Sequence, residues 1–136
     1  AIGTLAAAVG DVRERSGWLA GWRAMENGDV VVAGRTLETA ADGRAAIALA
    51  GGVSLRIDRG TRIAFIEPSR LRLERGALYL DSGAGHPQPG RLVVETPAGS
   101  VRHVGTQYEL RLIDAGMQLR VREGRVEFRS AAGLVE

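Results

Sequence analysis

Apolar and charged residues alternate with period two along most of the chain, and glycine interrupts the alternation at matching places. The segments LRIDRGTRIAF (55–65), LRLERGALYL (71–80) and LRVREGRVEF (119–128) share one pattern: Leu-Arg-apolar-charged-charged-Gly, then a second alternating run. Period two sends successive side chains to opposite faces of a strand, so each segment predicts a strand, a glycine-closed turn and a strand. Gly60, Gly76, Gly105 and Gly124 are the expected corners, where a positive φ costs glycine little. Their spacing is sixteen residues from Gly60 to Gly76 and nineteen from Gly105 to Gly124, which suggests stacked coils or repeated hairpins.

Further Gly and Asx turns punctuate the first half at ENGDV (26–30), VAGRT (32–36), ADGRA (41–45) and LAGGVS (49–54). SGAGHPQPG (82–90), with Pro87 and Pro89, is the expected exposed loop. Helical periodicity is missing apart from a single turn that WLAGWRAME (18–26) could form. The expected fold is all-β, a β-solenoid-like stack of short strands linked by Gly turns. Residues 1–35 form an N-terminal β segment packed on a domain spanning 36–136. A chain of 136 residues is long enough for one such core.

The stretch GSVRHVGTQYELRL (99–112) fixes a detail. Val101 and His103 share one phase of the alternation, whereas Tyr108, Leu110 and Leu112 share the other. The chain must therefore turn or step at Gly105 before its core face resumes. Thr106 and Gln107 can bond the backbone of that corner, and a partly buried, structural His103 is expected.

Composition narrows the chemistry. The absence of cysteine excludes disulfides, thiolate nucleophiles and cysteine-ligated metals. All eighteen basic residues are arginine, so an excess of +2 is enough to raise the isoelectric point to 9.9. RLRLERG (70–76) and LRVREGRVEFR (119–129) interleave Arg with Glu, a pattern of mixed-sign strand faces, and no nucleic-acid partner is expected. Residues 1–9 are apolar but too short to span a bilayer, and read as a first strand or the stub of a removed anchor.

Asp58, Glu74, Glu109, Glu123 and Glu127 fall on the solvent phase of their strands, so no carboxylate pair for acid–base work is expected. His86 lies in the proline loop and His103 beside the Gly-Thr-Gln step, and no nucleophile elbow surrounds a serine. No helix follows the paired glycines, which removes a phosphate loop. The expectation is a non-enzyme without metal or cofactor. Trp18 and Trp22, four residues apart, either cover the β core or, with Tyr79, form a stacking platform for a ligand. Arg56, Arg72, Arg102 and Arg120 either pair across strands or contact a partner; Arg72, Arg102 and Arg120 are the contact candidates.

Four motifs in order carry a family resemblance: Arg75-Gly76-Ala77-Leu78-Tyr79-Leu80, Val94-Glu95-Thr96-Pro97-Ala98-Gly99, Val104-Gly105-Thr106-Gln107-Tyr108-Glu109-Leu110, and Arg122-Glu123-Gly124-Arg125-Val126. Together they resemble the FecR domain over about residues 36–129. The resemblance implies the periplasmic domain of an inner-membrane-anchored sensor or anti-sigma regulator with a β-solenoid-like architecture. It also implies a protein partner, the signalling domain of an outer-membrane TonB-dependent transducer, and an extracytoplasmic-function sigma factor governed by the full-length protein in iron-uptake signalling. The expected mode of action is protein contact, through an open strand edge or the proline loop. The alternative is a cell-envelope glycan- or ligand-binding module using Trp18, Trp22 and Tyr79.

Overall fold

A computed structural model describes residues 2–17, 21–49, 52–81, 92–113, 116–130 and 133–135, with backbone alone for 103–106, 123–127, 130 and 133–135. The proline loop 82–90 with His86, and Trp18, lie outside the described residues. Every regular element among those described is a strand: β1 (Gly3–Val9), β2 (Val12–Ser16), β3 (Arg23–Ala24), β4 (Val30–Val31), β5 (Arg35–Thr39), β6 (Arg44–Leu49) and β7 (Ser54–Ile57). Then follow β8 (Arg62–Glu67), β9 (Arg70–Arg75), β10 (Ala77–Asp81), β11 (Val93–Thr96), β12 (Gly99–Ile113), β13 (Gly116–Ser130) and β14 (Gly133–Val135). The all-β expectation holds. WLAGWRAME contributes the short strand β3 within its described part.

Hydrogen bonding follows one path, β3-β2-β5-β8-β9-β11-β12-β10-β7-β6-β1-β4. It bends at β12, whose first residues, Gly99 to Arg102, pair with β11 and whose later ones, Gln107 to Arg111, pair with β10. Two sheets result. The first holds β3, β2, β5, β8, β9 and β11, the second β10, β7, β6, β1 and β4, and the β12–β13 hairpin runs through both. Their inner faces share one core: Val12, Leu37, Ile63, Phe65, Leu71 and Leu73 from the first sheet, Leu5, Ile47, Leu55, Ile57, Leu78 and Leu80 from the second. The alternation quoted above is what buries these residues on one side only.

Two expectations change. LRIDRGTRIAF and LRLERGALYL are not hairpins: β7 pairs with β6 and β10, β8 with β5 and β9, and β10 with β12 and β7. Gly60 and Gly76 carry the chain from one sheet to the other, with φ of 61° and 87°. Coil-on-coil parallel pairing, as in a solenoid, occurs among the described strands at β9–β11, the other described pairs being antiparallel. Gly105 and Gly124 are not corners at all but lie inside β12 and β13.

At that place Val104 pairs with Arg125 and Gln107 with Glu123, so Gly105 and Thr106 stand opposite Gly124 alone. Two residues against one is a β-bulge, and it exchanges the faces of the strand. Val101 before it and Tyr108 after it are therefore both fully buried, although an even strand would send them to opposite sides. The described part of the first 35 residues is woven in as well: β1 pairs with β6 and β2 with β5, and Ile2, Leu5, Val12, Met25 and Val31 join the core.

The Gly76 corner is fastened by buried Thr61. The Thr61 backbone N–H donates to Thr39 Oγ1 at 3.0 Å, and the Ala77 N–H donates to Thr61 Oγ1 at 3.1 Å. Thr39 Oγ1 in turn donates to the Asp58 carbonyl at 2.7 Å. A Cβ on Gly76 would stand 2.3 Å from Thr61 Oγ1 and 2.7 Å from its Cα. Gly76→Ala is expected to destabilise the fold by about 2–4 kcal/mol, combining a left-handed backbone with overpacking. Gly28→Ala, with φ of 93° but open space around it, should cost about 1 kcal/mol. Urea denaturation of the two variants measures the difference.

Candidate interaction surfaces

With the core fixed, register determines which side chains meet on the outer faces. On the first sheet one row runs Arg13, Glu38, Arg62, Arg75 across β2, β5, β8 and β9. Glu38 is 4% exposed, yet it points away from the apolar core. Three guanidinium groups enclose it: Arg13 donates at 2.5 Å, Arg62 Nε at 2.8 Å, and Arg75 lies at 3.0 Å. The Trp22 ring closes the cluster, with the guanidinium carbons of Arg15, Arg13 and Arg62 4.5, 4.9 and 5.7 Å from its centre, within cation–π range. Burial pushes the Glu38 carboxyl up, but the hydrogen bonds and charges of Arg13 and Arg62 outweigh it and hold its pKa below the ordinary value.

The neighbouring row is Arg15, Thr36, Ala64, Arg72, Glu95, Ser100, Arg129. The next holds Glu67, Arg70, Val93, Arg102 and, by register, Glu127. Glu95 pairs with Arg70 at 2.8 Å and more loosely with Arg72 at 3.9 Å. These three rows place eight arginines and four glutamates on one face, an excess of four positive charges in a chain whose net charge is +2. The basic character is thus concentrated on the first sheet's outer face.

Arg72 and Arg102 share this face, one row apart on β9 and β12 with β11 between them. Arg120 does not join them: it ends the row Ala7, Ala46, Arg56, Tyr79, Glu109, Arg120 on the outer face of the second sheet. Tyr79 lies on that face too, so it and Trp22 occupy different sheets and form no common platform. Tyr79 borders a depression of about 410 Å³ floored by Ala7, Ala46 and Ala77. On its rim Asp58 meets Arg111 at 3.0 Å and Arg44 at 3.8 Å. Burial raises the Asp58 pKa, but the Arg59 N–H, the Arg111 hydrogen bond and the surrounding charge bring it below the ordinary value. Only the backbone of His103 is described, in β12.

The buried acids Glu14 and Glu38 went unnoticed in the alternation. Glu14 is 2% exposed and sits in the core phase with Val12 and Leu37, neutralised by Arg23 and by Arg35 at 3.3 Å. VRERS did carry a signal, since it sets a carboxylate in phase with Val12. Among the described residues no group of three His, Asp or Glu side chains is arranged to hold a metal.

The geometry defines a two-sheet all-β domain with a basic outer face. Residues 35–127 match the family model described as FecR protein, and the chain belongs to that family. Two solved structures from Parabacteroides distasonis ATCC 8503, described as candidate anti-sigma factors, share the fold. One is 16% identical with a TM-score of 0.60, covering 74% of this chain and 49% of the other; the second is 17% identical with a TM-score of 0.55, covering 72% and 47%. The chain therefore spans about half the length of those proteins. A search of curated proteins gave no match.

The Glu38 cluster gives an acid limb to stability. A carboxylate with a depressed folded pKa contributes fully above its unfolded pKa, near 4.5 for Glu38, and loses that contribution as pH falls through the folded value. Glu38→Gln is expected to lower stability at pH 7 by about 1–3 kcal/mol, below the cost of opening a fully buried pair because the arginines keep access to water. It should also flatten the loss of stability below pH 4.5, with Asp58 supplying the residual slope. Denaturation midpoints between pH 2.5 and 7 measure both effects.

Proposed function

We propose that the chain is the regulatory domain of a FecR-type anti-sigma protein, and that it works by binding another protein rather than by catalysis. The observation that carries this reading is the family match over residues 35–127, which takes in strands of both sheets and the β12–β13 hairpin. The fold shared with proteins described as candidate anti-sigma factors supports it. In this reading the domain lies in the periplasm, tethered to the inner membrane in its full-length form. Its partner is the signalling domain of a TonB-dependent transducer, and an extracytoplasmic-function sigma factor responds on the far side of the membrane.

The first sheet's outer face is the contact surface in this proposal. Guanidinium groups carry planar donors suited to carboxylates, and a field of one sign speeds encounter with an acidic partner. Arg72 and Arg102 are then partner-binding residues, one paired loosely with Glu95 and the other fully on the surface. Titration of the purified domain with the purified transducer signalling domain tests this. Saturable binding is expected, weakened several-fold between about 0.05 and 0.5 M salt, because screening acts on exposed charges. The double variant Arg72→Ala, Arg102→Ala should raise Kd by about tenfold without altering the denaturation midpoint. Unchanged affinity in the variant would remove this face from the contact.

A further inference from the structure

The backbone of β13 has one edge that the fold leaves unfinished. β12 pairs along its other edge from Gly116 to Ser130, interrupted at Arg122 and Gly124, but β14 pairs only with Phe128, Arg129 and Ser130. From Met117 to Glu127 this edge has no strand partner among the described residues. Unpaired N–H and C=O groups in such a run are a template for another strand, and soluble proteins ordinarily cover them, shorten them or guard them with charge.

The side chains along the edge are of two kinds. Met117, Leu119 and Val121 stand across from Leu112, Leu110 and Tyr108 and continue the apolar inner layer. Met117 and Leu119 pack on the core while partly exposed, and Val121 is 44% exposed, so the core reaches this edge half covered. Gln118 and Arg120 point to the outer face, across from Arg111 and Glu109. Glu109 lies 3.9 Å from Arg111, and Arg120 and Arg122, both exposed, have no carboxylate within 4 Å among the described residues.

We infer that residues 117–122 of β13 accept an added strand from a protein partner, in which apolar residues alternate with aspartate or glutamate. This rests on the reading that the domain acts by protein contact. Apolar residues of the guest would extend the inner layer beyond Leu119 and Val121, and its acids would face Arg120 on the outer face, next to exposed Arg122, which stands at a register irregularity with no partner on β12. A second copy of the same edge is the poorer occupant, because self-pairing brings Arg120 and Arg122 against each other. Charge therefore both admits the acidic strand and rejects the domain's own edge.

The probe is a nine-residue synthetic peptide alternating valine and glutamate, with proline at both ends to limit its self-association. Titrated into the intact domain, it should slow amide hydrogen exchange within 117–122 and leave the outer face of the first sheet unchanged. Arg120→Glu should weaken the peptide by about tenfold, and a valine–lysine peptide should bind that variant better than the parent. Exchange within 117–122 that does not respond to peptide, or an affinity indifferent to Arg120→Glu, would overturn the inference. The transducer titration is judged separately: if that partner binds and Val121→Glu leaves its affinity unchanged, the regulatory reading stands and the strand-addition inference falls.

Discussion

One strand belongs to two sheets. β12 pairs with β11 at its start and with β10 further on, and in both places its inward side chain must enter the same core. An uninterrupted strand would place Val101 and Tyr108 on opposite faces. The bulge of Gly105 and Thr106 against Gly124 supplies the missing half-step, and both residues are fully buried as a result. Tyr108 carries a cost of this arrangement: among the described residues its hydroxyl has no hydrogen-bond partner, and burial drives its pKa upward. Everything beyond β12 in the hydrogen-bonding path depends on this step.

The corners solve a related problem. Two chain segments that read locally as hairpins pass from one sheet to the other, so β7 and β8, and likewise β9 and β10, pair with other strands and not with each other. Thr39, Thr61 and Ala77 fasten one such passage with hydrogen bonds that join β5 and β10 to Thr61, the residue just before β8. Strand pairing of this kind is specified by the fit of the assembled core rather than by any single turn.

This explains how much the sequence disclosed. Leu71, Leu73, Leu78 and Leu80 are buried as the alternation indicated, and the change of phase between His103 and Tyr108 marked the step at Gly105. A local pattern could not tell a hairpin corner from a passage between sheets, or a corner from a bulge, because LRVREGRVEF reads like LRLERGALYL. Glu38 escaped notice for a different reason. Its burial is created by Arg13, Arg62 and Arg75 on neighbouring strands, none of them close to it in sequence. Likewise Arg72 and Arg120 look equivalent in their motifs, but register sends them to the outer faces of different sheets.

The cations of this surface are all guanidinium groups. Their charge does not change anywhere in the range where proteins function, and the arginines around Glu38 hold its carboxyl below the ordinary pKa. The basic face is consequently a fixed electrode. If its attraction for a partner rises or falls near neutral pH, the proton has bound to the partner or to one of the two histidines. Reagents that modify lysine find none here, so they can probe the partner's side of an assembly while leaving this face chemically untouched.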